Sequence, residues 1–170
     1  MIFEKATTKD APLLANAMRQ IQASMADPTM YVIDTEEDIR HSIDGIHGFA
    51  LLAKEEEELA GFFIFRYPDI EEEDHLGAYL NLDETQKKSV VYMDSAAVFP
   101  KFRGQGLQKQ LLLEGEKLLR DTSYSTALAT VSPDNPASLN TLLGAGFQII
   151  ATAPKYGGLL RHVLYKDLIV

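Results

Sequence analysis

Residues 90–120 read VVYMDSAAVFPKFRGQGLQKQLLLEGEKLLR, and three physical signals follow one another in them. Val90 to Val98 is rich in β-branched and apolar residues and ends at Phe99-Pro100, which predicts a strand. Leu107 to Arg120 carries Leu107, Leu111, Leu112, Gly115, Leu118 and Leu119 within one arc, with Lys109, Glu116 and Lys117 pointing away, which predicts an amphipathic helix. Between them, Arg103-Gly104-Gln105-Gly106 places two glycines directly before the helix. A glycine in the middle of the apolar arc, Gly115, predicts close packing of the helix backbone on a sheet.

A strand, a glycine turn and a helix in this order form an anion-binding layout. The first N–H groups of a helix lack intrahelical acceptors and point the same way, and the helix dipole adds partial positive charge. The local charge agrees. The chain has 16 basic and 25 acidic residues, a formal net charge of −9, yet Ser95 to Leu113 holds Lys101, Arg103 and Lys109 and no acid. A diphosphate fits such a nest. No G-x-x-x-x-G-K-[ST] is present, and Gly104 and Gly106 are followed by Lys109 rather than a third glycine, so neither an ATPase loop nor a dinucleotide fingerprint is supported.

The flanking sequence supplies the rest of an α/β or α+β single domain spanning 1–170 around one sheet. Ile2 to Thr7 reads as a strand. A helix from about Asp10 buries Leu13, Leu14, Ala17, Met18, Ile21 and Met25, and a second helix near Thr35 to Asp44 opens on Thr35 followed by Asp38. Gly48 to Lys54 and Leu59 to Tyr67 form a hairpin with the charged turn Glu55 to Glu58. Pro68 to Lys88 is acidic and without a period, and is expected to be a long loop, either a substrate-side lid or a solvated excursion. Ala127 to Val131 is a strand, and Asn135 to Leu143 a helix stopped by Gly144 and Gly146. Phe147 to Ala153 and Leu159 to Tyr165 are strands joined through Tyr156-Gly157-Gly158.

The 170 residues, 46% apolar and 24% charged, suffice to bury a core without staples. With no Cys, thiol catalysis and cysteine-based zinc sites are excluded. Met1 to Asp10 lacks the apolar stretch of a signal peptide, and no window approaches the length of a membrane span. A soluble, cytoplasmic protein is expected, with no membrane partner. The acidic balance argues against nucleic acid as a partner.

Val98 to Leu112 resembles the acyl-CoA-binding motif of the GNAT superfamily of N-acyltransferases, (Gln/Arg)-x-x-Gly-x-(Gly/Ala). The superfamily's second signature, an Asn opening a helix that ends in Gly-Phe, is matched by Asn135 and Gly146-Phe147. The matching segments run from about Val90 to Leu168. The resemblance implies a mixed, mostly antiparallel sheet flanked by helices, with acetyl-CoA as co-substrate and no metal. The backbone of Arg103, Gly104, Gln105, Gly106, Leu107 and Gln108 would wrap the diphosphate. Ala97 and Val98 would pair with the pantetheine amides, Val98 offering an N–H to the thioester oxygen, and Asn135 and Ser138 would border the pantetheine arm. Lys101 stands where the family prefers Gln or Arg and, still a donor, is expected among the cofactor-binding residues. Gln108 stands where a small residue is usual, its amide a candidate donor to a phosphate. Leu142 stands where many members carry a Tyr that protonates the departing thiolate.

Acetylating an ammonium requires a base. Strand alternation places Asp94 with Tyr92, Ala96 and Val98, and the resemblance puts a family base on this strand. Asp94 is therefore the first candidate base, directly or through a water; the alternative is a buried carboxylate satisfied by a backbone N–H or Ser95. The run Glu71 to Asp74 is either an attractor for a cationic amine or a solvated face. His41, His47, His75 and His162 show no H-x-x-x-H or H-E-x-x-H spacing, so no metal site is expected. Ser95 and Ser132 lack triad context. Tyr156 and Tyr165 read as packing residues, with lining of the acceptor site as the other reading. The function expected is acetyl transfer to a primary amine of a small molecule or peptide. The competing class is a non-catalytic acyl-CoA-binding module, kept open by Leu142. A homodimer is compatible with the sequence and not required by it.

Overall fold

The computed structural model describes residues 1–169. Its strands are β1 (Ile2–Lys5), β2 (Gly48–Glu55), β3 (Glu58–Arg66), β4 (Val90–Val98), β5 (Thr126–Val131), β6 (Gln148–Lys155) and β7 (Leu159–Asp167), and its helices are α1 (Ala11–Ala23), α2 (Glu36–Ser42), the single turn α3 (Glu84–Lys87), α4 (Leu107–Leu119) and α5 (Pro136–Gly144). The strands form one sheet in the order β1-β2-β3-β4-β5-β7-β6. The β1–β2, β2–β3, β5–β7 and β6–β7 pairs are antiparallel, and β4 runs parallel to β5 over Val90–Tyr92 against Thr126–Leu128. This is the mixed, mostly antiparallel sheet expected. Two compact units divide the chain, Met1–Arg66 with Asp94–Gly115, and Tyr67–Met93 with the chain from Glu116 on. β4 and α4 each contribute to both.

In the first unit the β2–β3 hairpin is buried on both faces. Its two strands read as almost continuous apolar runs because neither face meets water. Ala50 and Leu52 on β2, opposite Ile64 and Phe62 on β3, pack with Leu14, Ala17, Met18 and Ile21 of α1 and Ile39 of α2. Leu13, placed on the buried arc by periodicity, lies at the arc's edge and is 39% exposed. Thr35 caps α2, its hydroxyl accepting from the Asp38 N–H at 3.1 Å. On the other face Phe65 stacks on Phe49 and Phe63, each with ring centroids 4.7 Å apart. Here α4 comes down on the sheet at Gly115: a Cβ at that position would lie 1.9 Å from Phe65 Cζ.

In the second unit Val90, Tyr92, Leu128 and Val163 form a core with Leu76. The segment expected to be a long loop is folded instead. It contains a 3-10 helix over Leu76–Leu80 and α3, and Leu76 N–H donates to the buried Tyr92 hydroxyl at 2.8 Å. Asp74, the last acid of the run Glu71 to Asp74, accepts from Lys155 through both carboxylate oxygens at 2.9 Å, and the same Nζ donates to Tyr79 Oη at 2.6 Å. Lys155 is 6% exposed. The hidden cation therefore anchors the segment to β6, a constraint invisible to local periodicity because its partners are 76 and 81 residues away.

Among the described residues no helix is long and apolar enough to cross a membrane. Gly115→Ala would gain up to ~1 kcal/mol of helix propensity in isolation. Here it should lower stability by ~1–3 kcal/mol, the cost of overpacking against an immobile ring, measured by urea denaturation.

Candidate functional site

The glycine turn is built from the strand outward. Phe99 N–H donates to Ala60 O at 2.9 Å, which keeps the chain on β3 to the end of β4. The 3-10 turn Pro100–Phe102 follows, with Phe102 buried beneath it. Gly104 and Gly106 then adopt φ +82° and +70°, conformations that an L side chain strains to adopt. Nothing lies within 4 Å of where a Cβ would stand on either, so the loop faces open space. Gln110 N–H bonds back to Gly106 O at 3.0 Å, making Gly106 the last residue before α4's hydrogen-bonded ladder. Two side chains brace the loop. Arg103 Nε donates to Val98 O at 3.0 Å and Gln110 Nε2 to Gln105 O at 3.3 Å. Arg103, Gly104, Gln105 and Gly106 are exposed, Leu107 is buried and Gln108 is half-buried. Lys101, expected to bind the cofactor, has its Nζ on Glu58 Oε2 at 2.8 Å.

A second group of polar residues gathers beside β4 in the same unit. Asp94 is half-buried, with Arg66 Nε donating to its Oδ1 at 3.2 Å. This partner, a guanidinium at the end of β3, is one that the sequence did not suggest. Ser95 is instead 3.0 Å from the Tyr31 hydroxyl, which ties the α1–α2 connection to β4. Burial, with smaller contributions from Asp34 and Asp94, pushes the Tyr31 hydroxyl well above the ordinary tyrosine value despite its bond to Ser95. Asp34 belongs to this group. Burial first, then the charges of Asp94 and Asp38, raise its carboxyl to about 6, against a smaller opposing pull from Arg66. Asp34 was missed because it sits in an aperiodic stretch where an acid signals only a turn; what distinguishes it is burial beside other carboxylates.

Asn135, Ser138 and Leu142 lie in the second unit. Asn135 is the N-cap of α5, its Oδ1 accepting from Ser138 N–H at 3.3 Å, with Pro136 in the first turn. Gly146, at φ +98°, follows the helix end. Leu142 is buried, 5% exposed. Tyr165 packs against the core of this unit, whereas Tyr156 is 54% exposed at the β6–β7 turn, its hydroxyl 2.7 Å from Thr130 Oγ1.

A sequence model of the acetyltransferase (GNAT) family matches residues 17–147. The chain belongs to this family. The match extends the likeness well beyond the C-terminal half in which the motifs were read. The GNAT fold is also that of several solved structures. The Arabidopsis thaliana NAA60 complex with acetyl-CoA aligns with a TM-score of 0.76 at 14% identity, covering 98% of this chain and 97% of that one. Salmonella typhimurium yncA with its cofactor acetyl-CoA aligns at 0.72 and 18%, covering 99% and 94%. A Brucella melitensis ribosomal-protein-alanine N-acetyltransferase aligns at 0.72 and 18%, covering 98% and 99%. No curated protein sequence is a significant match to this GNAT chain.

The raised Asp34 carboxyl has a thermodynamic consequence. Unfolded, it ionises near its ordinary value of 3.8; folded, near 6. The folded state therefore holds the proton more tightly, and this contribution to stability is complete below 3.8 and lost as pH rises through 6. Asp34→Asn should match the parent at pH 4 and exceed it at pH 7.5 by on the order of 1 kcal/mol, after allowance for solvent screening, in paired denaturation curves.

Proposed function

We propose that this GNAT protein transfers an acetyl group from acetyl-CoA directly to a primary amine of a small molecule or peptide, and that one acyltransferase domain covers residues 1–170. The observation that carries the reading is the glycine turn at the head of α4, with two positive-φ glycines, open space above both and no acid between Ser95 and Leu113. It belongs to a chain of an acetyltransferase family. That turn suits a diphosphate: backbone N–H groups and a helix N-terminus favour the anion, and the missing side chains let it approach.

In this reading the backbone from Arg103 to Gln108 holds the diphosphate. Ala97 and Val98 pair with the pantetheine amides, and Asn135 and Ser138 border that arm. Bound acetyl-CoA supplies an activated thioester. Val98 N–H is the preplaced donor to its carbonyl oxygen as negative charge develops there, and the bond from Arg103 Nε to Val98 O fixes the next peptide along, Val98–Phe99. The amine nitrogen bonds to the carbonyl carbon, the carbon–sulfur bond breaks, and the nitrogen's proton passes to a base. Asp94 is the proposed base, directly or through a water. Leu142 offers no proton to the departing thiolate, which a thiol tolerates because its pKa lies only one to two units above neutrality, at about 8.5. Asp34, Asp38 and Asp94 outnumber Arg66, which favours a cationic acceptor.

A second assignment of the base is favoured by one observation. Asp34 titrates near 6, where a carboxylate still ionised at pH 7 retains proton affinity, while Asp94 is engaged by Arg66. The two variants separate these readings.

Calorimetric titration with acetyl-CoA should give micromolar binding, abolished by Gly104→Glu, which places a carboxylate in the anion nest. Absence of binding by the parent would overturn the assignment. In an amine screen reading CoA release, Asp94→Asn should lose roughly 100-fold in turnover with acetyl-CoA affinity unchanged. If Asp34→Asn instead carries that loss and removes an acid limb near pH 6 from kcat/KM, Asp34 is the base. If CoA binds and no amine is ever acetylated, the chain is a binding module.

A further inference from the structure

The turn between α2 and β2 reads His41-Ser-Ile-Asp44-Gly-Ile-His47. Two imidazoles and a carboxylate, three residues apart in sequence, meet there. One donor atom from each of His41, Asp44 and His47 lies within 4.8 Å of the other two. His47 Nδ1 is 2.7 Å from Asp44 Oδ2, and the His41 ring is stacked on the His47 ring with centroids 3.7 Å apart and planes inclined by 26°. The geometry points to a divalent transition-metal site, with zinc as its natural occupant, formed by these three side chains and completed by water.

The turn holds the donors in place before any ion arrives. Asp44 Oδ1 accepts from both Ile46 N–H and His47 N–H at 2.8 Å, leaving Oδ2 to face the imidazoles. Gly45, at φ +88°, reverses the chain, and its N–H bonds to Gly48 O at 3.0 Å. Gly48 cannot carry a side chain, because a Cβ would lie 2.3 Å from Phe65 O and 2.4 Å from Ser42 O. The seven residues are thus closed into a loop whose ends, the last turn of α2 and the start of β2, are fixed by the core.

An ion pair accounts for Asp44 beside His47. It does not account for a second imidazole laid face to face on the first at the same spot. Three such side chains with a donor atom each within 4.8 Å of the others supply the ligand count of a zinc site with an open fourth position. At zinc–ligand distances of about 2.0–2.1 Å, tetrahedral donors stand about 3.3 Å apart, so on binding Asp44 and His47 part by about half an ångström and the His41 ring rotates off the His47 face until a nitrogen of each ring points at the ion. The imidazoles select zinc, nickel or copper over magnesium or calcium, which prefer oxygen donors. The spacing H-x2-D-x2-H escapes the usual helical zinc patterns because a turn, not a helix, brings the residues together. The site is independent of the acetyl-transfer reading.

The test uses the full chain stripped with chelator and titrated calorimetrically with ZnCl2 at pH 7.5. Thermal unfolding is followed in parallel, and MgCl2 serves as the contrast. One equivalent of zinc should bind with a Kd below about 10 µM and raise Tm, while magnesium does neither. His41→Gln/His47→Gln should weaken zinc binding at least 100-fold with Tm in chelator unchanged. Asp44→Asn, which keeps an Oδ1 acceptor for the two turn N–H groups, should weaken it about tenfold and serves if the double variant folds poorly. His162→Gln, remote in sequence, should change nothing. A parent Kd above 100 µM, or equal zinc binding by the parent and the altered-turn variants, overturns the proposal.

Discussion

Phe65 lies wedged between Phe49 and Phe63 with the backbone of α4 resting directly on its ring at Gly115. The contact cannot be reproduced with any side chain at 115, and it determines how close α4 comes to the sheet. Because a helix is rigid over 13 residues, holding it near its C-terminal end also aims its N-terminus. The glycine turn is then suspended between two fixed points, the end of β4, hydrogen-bonded to Ala60, and the first turn of α4. Its geometry is inherited from hydrophobic packing elsewhere, which lets residues 103–106 stay exposed without a core of their own.

The same unit concentrates polar groups at one place along β4. Arg66 closes β3 and reaches Asp94; Tyr31 reaches Ser95 from the α1–α2 connection; Asp34 is held half-buried within range of both charges. An ordinary surface would let a carboxylate escape to solvent. Here the burial that raises Asp34 costs stability at neutral pH. The cluster's acids are distinct from Glu71 to Asp74, where Asp74 has a structural partner in Lys155.

Chain-local features were readable without coordinates because each depends on near neighbours. Val90 to Val98, the α4 arc and the glycines at 104, 106 and 115 obey periodicity and backbone sterics, and Thr35 and Asn135 declare helix starts by capping chemistry. The segment from Pro68 to Lys88 was less legible. Its order comes from Tyr92, Lys155 and a small apolar core, not from any repeat within it.

Local chemistry along the chain therefore dictated the strands and helices, the anion-binding turn and the family resemblance, since hydrophobic period, glycine conformation and capping act over three or four residues. Tertiary structure alone decided that Arg66 meets Asp94 across 28 positions, that Lys155 is buried on Asp74 and Tyr79, and that Asp34 titrates near 6. Desolvation and charge pairing depend on distance in space, and residues far apart in sequence come within that distance only once the sheet and its helices have packed.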